Sequence, residues 1–338
     1  MGWWLSRQGI ALAGFHNRNY QVRLRDGTEA LLRTPRRQRY PFDPKIWPES
    51  IFLDKLEGRV GGAPRVLKGP GWLPLRSFTP GESLADRRQG EGVAKEQVRA
   101  WLADFFAELA RIPLKDLPQE RPMGWPEDGD SRGFLMAQVQ YAQEQVAPAV
   151  LRGYGSLLRG LAFPDDALQR FASRVPQKMT SRPFMLLHGD LHAGNIIVSE
   201  DATPRLIDWE LAMVGDPLHD LAMHLERFGY RNKKERLAVT AIWRSSVRAV
   251  APAAVKGLEA DLRWYIDFQR VRSVYVDVVR TCQNLDSLGE EAACGRLAEI
   301  VWRALPCIGV NPSQLTAEKV RQALATWQGS RRRVLAIG

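Results

Sequence analysis

Between Leu186 and Glu210 the chain reads LLHGDLHAGNIIVSEDATPRLIDWE, a segment with two of its five histidines and a succession of acids around a glycine-punctuated turn. Asp190 and Asn195 stand five positions apart on a loop flanked by strand-like runs, so both side chains can face one small volume. Asp208 ends the next run, RLID, and a hairpin returns it to the side of Asn195. An amide oxygen and a carboxylate so placed suit a hard cation such as Mg2+, which takes oxygen ligands, commonly one or two protein groups completed by phosphate oxygens and water. Asp190 is then free to accept a proton from a hydroxyl. H-x-D-x-x-x-x-N followed by a later Asp is the division of labour of phosphoryl transfer, with one group as base and the others holding metal on the phosphates. A polar turn with caps is the bland alternative, and it requires these independent groups to coincide. His188 reads as a residue that orients backbone by hydrogen bonding, and His192 has no role beyond solvent exposure.

The elements that must position these groups are legible in outline. The pair Asp26-Gly27 separates two β-prone runs, a strong hairpin signal, so the N-terminal portion reads as a small antiparallel sheet. A helix is expected from Pro48 to about Leu56, and the Pro- and Gly-interrupted stretch VLKGPGWLPLRSFTPGESL suggests edge strands leading into a connector near Pro80. Leu102, Phe105, Phe106, Leu109 and Ala110 repeat with helical spacing, and Phe134 to Leu158 can again be helical. FMLL, NIIV and RLIDW interrupt this territory as short strands. Helical periodicity then returns in Trp264, Phe268, Val271, Tyr275, Val278 and Cys282, a stripe read as core.

Composition narrows the function classes. At 338 residues and 45% hydrophobic content the chain can bury one large domain or two unequal lobes. The net charge of +10 invites a nucleic-acid reading, but Lys supplies only 10 of 48 basic residues and the arginines are scattered among acids. Neither nucleic acid nor membrane is therefore an expected partner. The basic run SRRRVLAIG reads as a solvated tail. Cys282, Cys294 and Cys307 lack metal-ligand spacing and fit reduced thiols. MGWWLSRQGIALAG lacks the features of an export signal, so the expected location is cytoplasmic.

HGDLHAGNII followed by LIDWE and GDPLHDLA resembles the aminoglycoside phosphotransferase and choline kinase family, small-molecule relatives of the protein kinases. The resemblance implies an α+β, protein-kinase-like two-lobed fold. Residues 1–80 would form a nucleotide-binding lobe of antiparallel sheet with one helix, ending in a hinge, and residues 81–338 a mainly helical catalytic and acceptor-binding lobe. ATP or GTP would be the co-substrate, Mg2+ the metal, and a hydroxylated small molecule the acceptor. Position by position, Asp190 matches the base, Asn195 and Asp208 the metal ligands, and Glu210 the second acid of the family's D-x-D/E pattern. GFHNRNY is similar to the G-x-x-N-x-x-Y phosphate loop of these kinases, which assigns Gly14, His16, Asn17 and Asn19 to the nucleotide, with an idle loop histidine as the equal alternative for His16. Its single glycine departs from the Gly-rich loop of protein kinases. Arg33 stands where protein kinases place Lys and can still bridge phosphates. Its helix partner is best matched by Glu49, with Glu57 as fallback, and the connector holding Phe78 looks like the hinge that receives the base.

Three other classes fit these residues less well. A non-catalytic kinase-like binding module would lose the base or a metal ligand, and none is lost; a protein kinase would show D-F-G and A-P-E after Asp208, and neither is found. His219-Asp220 also suggests a metal-dependent phosphohydrolase, whose ligands sit on helices, whereas His188 lies between strands. Asp216 reads instead as a helix cap and Asp220 as a buried support for the loop. Residues 211 to 338 hold 19 Lys and Arg against 13 Asp and Glu, a field opposed to a polycationic acceptor. The expected acceptor is neutral or weakly charged, an antibiotic or related metabolite, with an amino alcohol or sugar as alternative. Glu259, Asp261 and Asp267 are local acids that would line its pocket.

Overall fold

The computed structural model describes residues 9–12, 17–35, 41–68, 75–87 and 95–337. Its elements run β1 (Ile10–Leu12), β2 (Asn17–Arg23), β3 (Glu29–Pro35), α1 (Glu49–Leu56), β4 (Leu75–Ser77), β5 (Glu82–Ser83), α2 (Leu84–Arg87), α3 (Lys95–Arg111), α4 (Ser131–Tyr141), α5 (Ala147–Gly160) and α6 (Ala167–Arg174). They continue as β6 (Met185–Leu187), β7 (Ile196–Val198), β8 (Pro204–Leu206), β9 (Met213–Gly215), α7 (Leu218–Arg227), α8 (Lys233–Val250), α9 (Leu258–Gln283), α10 (Leu285–Leu288), α11 (Glu290–Ala304) and α12 (Ala317–Ile337). The chain forms two compact units. The first draws on the described residues of Met1–Arg39, Lys45–Met123 and Arg182–Lys256, the second on those of Tyr40–Pro44, Gly124–Ser181 and Gly257–Gly338.

The first unit opens with the sheet β1-β2-β3-β4, antiparallel throughout. The β2–β3 turn forms where Asp26 accepts the Thr28 N–H at 2.9 Å and Gly27 takes φ +87°, a conformation glycine adopts without steric cost. The register it sets places Val22 opposite Ala30 and Asn19 opposite Arg33. Because side chains alternate across a strand, Val22, Ala30 and Leu32 pack with Leu75 into a small core, while Asn17, Asn19 and Arg33 share the other face. The same unit contains the short sheets β5-β7-β8 and β6-β9, with α7 following β9 and α3 packed on α8. Asp216 starts α7 by accepting the Leu218 N–H at 2.9 Å, and its other oxygen meets Arg182 at 2.8 Å in a fully buried pair.

The second unit is helical among its described residues, with a π-helical turn at Ala142–Val146 joining α4 to α5. Its core is the buried face of α9, where Phe268 meets Phe171 and Tyr275 meets Phe163 edge-on at 5.5 Å. Trp264, placed in the core stripe from periodicity, is only half-buried and carries the Arg263 guanidinium over its ring at 4.4 Å; Tyr265 takes the buried position. The run expected as a tail is also different: the backbone from Ser330 to Ile337 continues α12, since Arg, Val, Leu and Ala all sustain a helix and no proline stops it. Among the described residues no helix is long and apolar enough to cross a membrane.

Candidate active site

The loop between β6 and β7 carries Asp190 and Asn195. Gly189 makes it possible: at φ +79°, a Cβ would lie 2.4 Å from the Leu211 carbonyl oxygen, so the loop is pressed on the turn that follows Asp208. Behind it stands α7. Asp220 accepts the backbone N–H of His188 at 2.6 Å and of Gly189 at 2.9 Å, and His224, one turn on, lies 3.2 Å from the Leu191 oxygen. Burial raises the Asp220 pKa to about 6, against the lowering effect of those two N–H groups.

Two histidines hold Asp190, one through its backbone N–H and the other at its carboxylate. His188 is buried, its ring 4.7 Å from Trp209; Nδ1 accepts the Asp190 N–H at 3.2 Å and Nε2 lies 3.0 Å from the Ile207 oxygen. Burial lowers its pKa to about 4, so it is neutral, and the N–H pointing at Nδ1 implies that the ring proton is on Nε2. His192 accepts the Gly194 N–H on Nδ1 at 3.0 Å and brings Nε2 to 3.3 Å from Asp190 Oδ2. The expectation of an idle, solvated His192 is therefore corrected: the loop folds its ring back on the carboxylate. Asn195 Nδ2 donates to the Asp190 carbonyl at 2.9 Å and to Oδ2 at 3.2 Å. Burial alone would raise the Asp190 pKa, but the His192 hydrogen bond and the positive charge of Arg227 hold it well below the usual carboxylate range. Asp190 is ionised at neutral pH.

Opposite in character is the cluster around Arg33. Its guanidinium grips Glu49 through NH1 at 3.0 and 3.2 Å and reaches Asp208 Oδ1 through NH2 at 2.6 Å, with Glu210 at 3.4 Å. Arg76 adds a contact to Glu49 at 3.5 Å. Burial pushes the Glu49 pKa up against both arginines; for Arg33 burial works the other way, but the charges of Asp208, Glu49 and Glu210 outweigh it and raise its pKa. Asn17 donates to Glu210 Oε2 at 2.7 Å and Lys45 donates to it at 2.9 Å, while Glu210 Oε1 is buried without a partner among the described residues. Asp208 itself is left-handed, φ 67° and ψ 62°, a conformation Asp tolerates better than most residues.

The donor set fits a hard divalent cation. With Nδ2 of Asn195 committed to Asp190, its Oδ1 is the atom left to a ligand; Asp208 has a second carboxylate oxygen, and Glu210 an orphaned one. Among the described residues no cluster of three or more His, Cys, Asp or Glu stands ready to hold a metal. Such an ion would thus need oxygens from its own ligand, as Mg2+ on a nucleotide has.

The structure brings Asn17, Arg33, Glu49, Asp208 and Glu210 into one connected cluster, and Asp190, His188 and Asn195 into another, all within the first unit. Asn19 lies beside Arg33 in the sheet. Phe78 is half-buried, its N–H 3.3 Å from the Glu29 oxygen. Gly14 and His16 lie outside the described residues. Glu259, Asp261 and Asp267 belong to the second unit: Asp261 is buried and accepts the Thr180 N–H at 2.9 Å, Asp267 accepts from the Cys307 thiol at 3.3 Å, and Glu259 is exposed. Sequence reasoning missed Lys45, for which no spacing rule gives a signal. It also missed Arg227, which follows Asp220 and His224 at i+7 and i+3 and so continues the α7 face turned to the loop.

Comparison with known proteins places the chain. The model of the phosphotransferase enzyme family (APH) matches residues 8–258, and the chain belongs to this family. Among solved structures, amicoumacin kinase hAmiN in complex with AMP-PNP, Ca2+ and Ami is similar over 93% of each chain, with 15% identity and a TM-score of 0.55. The gentamicin complex of APH(2")-IIa is similar over 94% of each chain, with 14% identity and a TM-score of 0.52. These likenesses show the α+β, protein-kinase-like two-lobed fold. A stretch of 57 residues is 44% identical to methylthioribose kinase of Geobacillus kaustophilus, covering 17% of this chain and 14% of that protein's length. The protein is a phosphotransferase of the small-molecule kinase type, with an alcohol group as acceptor.

Proposed function

We propose that the protein moves the terminal phosphate of ATP, with Mg2+, to a hydroxyl of a neutral or weakly charged small molecule, an antibiotic or related metabolite. The observation that carries this reading is the Arg33 cluster: one cation holds Glu49 and also Asp208, 175 positions further along the sequence, beside the loop of an ionised Asp190. In this reading residues 1–80 serve the nucleotide and residues 81–338 the catalytic loop and acceptor. Arg33 exchanges carboxylate oxygens for phosphate oxygens as nucleotide enters, and Glu49 keeps the guanidinium in place. Asn195 and Asp208 would hold the metal, with Glu210 behind them, and a metal so held would neutralise charge on the phosphates. Asp190 receives the acceptor's proton and orients its oxygen for in-line attack. Positioning and electrostatics supply most of the rate.

Arg227 supports the view of the acceptor. It is half-buried on the α7 face turned to the loop, and its charge acts on Asp190. A cation there, within a basic C-terminal half, opposes a polyamine. A sugar-like acceptor is the second reading, favoured by the stretch shared with methylthioribose kinase. The cytoplasm, which supplies ATP, is the compartment that fits. The test is an acceptor screen by coupled ADP release with mass detection of the product. Saturable phosphorylation of a tetra-amino aminoglycoside, with neutral hydroxylated compounds inert, would overturn the acceptor class; no ADP release with any acceptor would overturn the activity.

A further inference from the structure

The role of His192 is not exhausted by capping the loop. Its Nδ1 takes the Gly194 N–H at 3.0 Å, and its carbonyl takes the Asn195 N–H at 3.0 Å, so ring and backbone are both anchored. With Nδ1 occupied as an acceptor, the neutral ring carries its proton on Nε2, the atom 3.3 Å from Asp190 Oδ2. Asn195 Nδ2 approaches the same oxygen at 3.2 Å. Both side-chain donors among the described residues thus fall on Oδ2 and none on Oδ1. An Asp carboxylate otherwise turns about a broad, roughly two-fold torsion that makes its oxygens interchangeable. Two donors on one oxygen remove that freedom.

We propose that His192 is a positioning residue: together with Asn195 it holds Oδ2 of Asp190 and thereby makes Oδ1 the atom that meets the acceptor's hydroxyl. This rests on Asp190 acting as the base. A cap needs only one nitrogen, and Asn or Ser supplies the same bond to the N–H two residues ahead. The second nitrogen, aimed at the carboxylate, is what an imidazole adds. No proton leaves His192 in the reaction. It acts through Asp190, on the orientation of the lone pair that takes the proton.

The variant that separates the two roles is His192→Asn, which keeps an acceptor for the Gly194 N–H but is too short to reach Asp190. MgATP turnover by the full chain, with water as the acceptor, is expected to fall about 10- to 100-fold in kcat while KM for ATP stays put. His192→Ala, which loses the cap as well, should add a rise in KM. An unchanged kcat in His192→Asn, or kcat and KM moving together, overturns the proposal in favour of a purely structural cap. A second measurement does not depend on turnover. In histidine-labelled protein the neutral form of the His192 ring should carry its proton on Nε2, and Asp190→Asn should shift its Nε2 resonance. A proton on Nδ1, or an Nε2 signal indifferent to Asp190→Asn, overturns the contact itself. If the wild-type chain turns over no MgATP with water or with any acceptor of the screen, the phosphotransferase reading fails on its own while this resonance still decides the contact.

Discussion

Asp190 takes its side-chain contacts from the imidazole of His192 and the amide of Asn195, whereas Asp208 takes its closest from a guanidinium at 2.6 Å. Around Asp190 the loop is fixed through its backbone: His188, Asp220 and His224 all bind main-chain atoms, and none of those bonds has to break for a substrate to enter. Around Asp208 the charges of Arg33, Lys45 and Arg76 are spent on Glu49, Asp208 and Glu210, and in the proposed reaction an incoming metal-bound nucleotide would exchange them. A base has to wait in one geometry, so it is best held by bonds that persist. A phosphate and metal site receives several new charges at once, so it is best filled beforehand by charges that can change partner.

The sharpest way to break this contrast is Asp190→Asn. It leaves shape and donors almost intact and should cost about 100- to 10,000-fold in turnover with nucleotide affinity retained, as read by kinetics beside calorimetry. Near-normal turnover would remove Asp190 from the chemistry. Asp208→Ala acts on the other half and should abolish the Mg2+-dependent part of nucleotide affinity, measured by calorimetry with and without metal. Affinity unchanged by the mutation would place the metal elsewhere. Arg33→Ala leaves three acids facing one another in a largely buried site and should destabilise the apo protein by about 3–5 kcal/mol, read from denaturant unfolding, with Arg33→Lys milder.

The pH dependence sharpens the other side. His188 and His219 have folded pKa values lowered to about 4, so the unfolded chain binds protons more readily than the folded one. Their neutral burial is costless above pH 6.5, and stability is lost as pH falls from there toward 4, by about 3 kcal/mol per histidine. Asp220, raised to about 6, has the opposite sign and returns part of that loss as it protonates. Unfolding free energy should therefore fall on acidification between pH 7 and 4, and a flat profile would contradict the buried neutral histidines. The smallest effect is expected from Lys45→Ala. Lys45 is 40% exposed and its pair with Glu210 is worth less than about 1 kcal/mol, so apo stability should barely move while KM for ATP rises a few-fold.

The division between what was legible and what was not follows the range of the interactions. Spacing pointed to Asp190, Asn195 and Asp208 as candidates, and the β7–β8 pairing expected around them is present, because a strand-turn-strand segment fixes its own geometry; Asp26-Gly27 declared the β2–β3 turn for the same reason. Resemblance supplied Arg33 and Glu49, and the ion pair between them is present. Trp264 and the last residues of α12 were misjudged because periodicity does not say which face of a helix finds a neighbour, nor where a run of good helix formers ends. Only the tertiary structure decided that His192 folds back on Asp190, that Lys45 reaches Glu210 from 165 positions away, and that Arg33 rests on Asp208. A local pattern fixes backbone geometry through turns and register, whereas the partner of a long charged side chain is chosen by whatever opposite charge the fold carries into reach, and that is set by the whole chain at once.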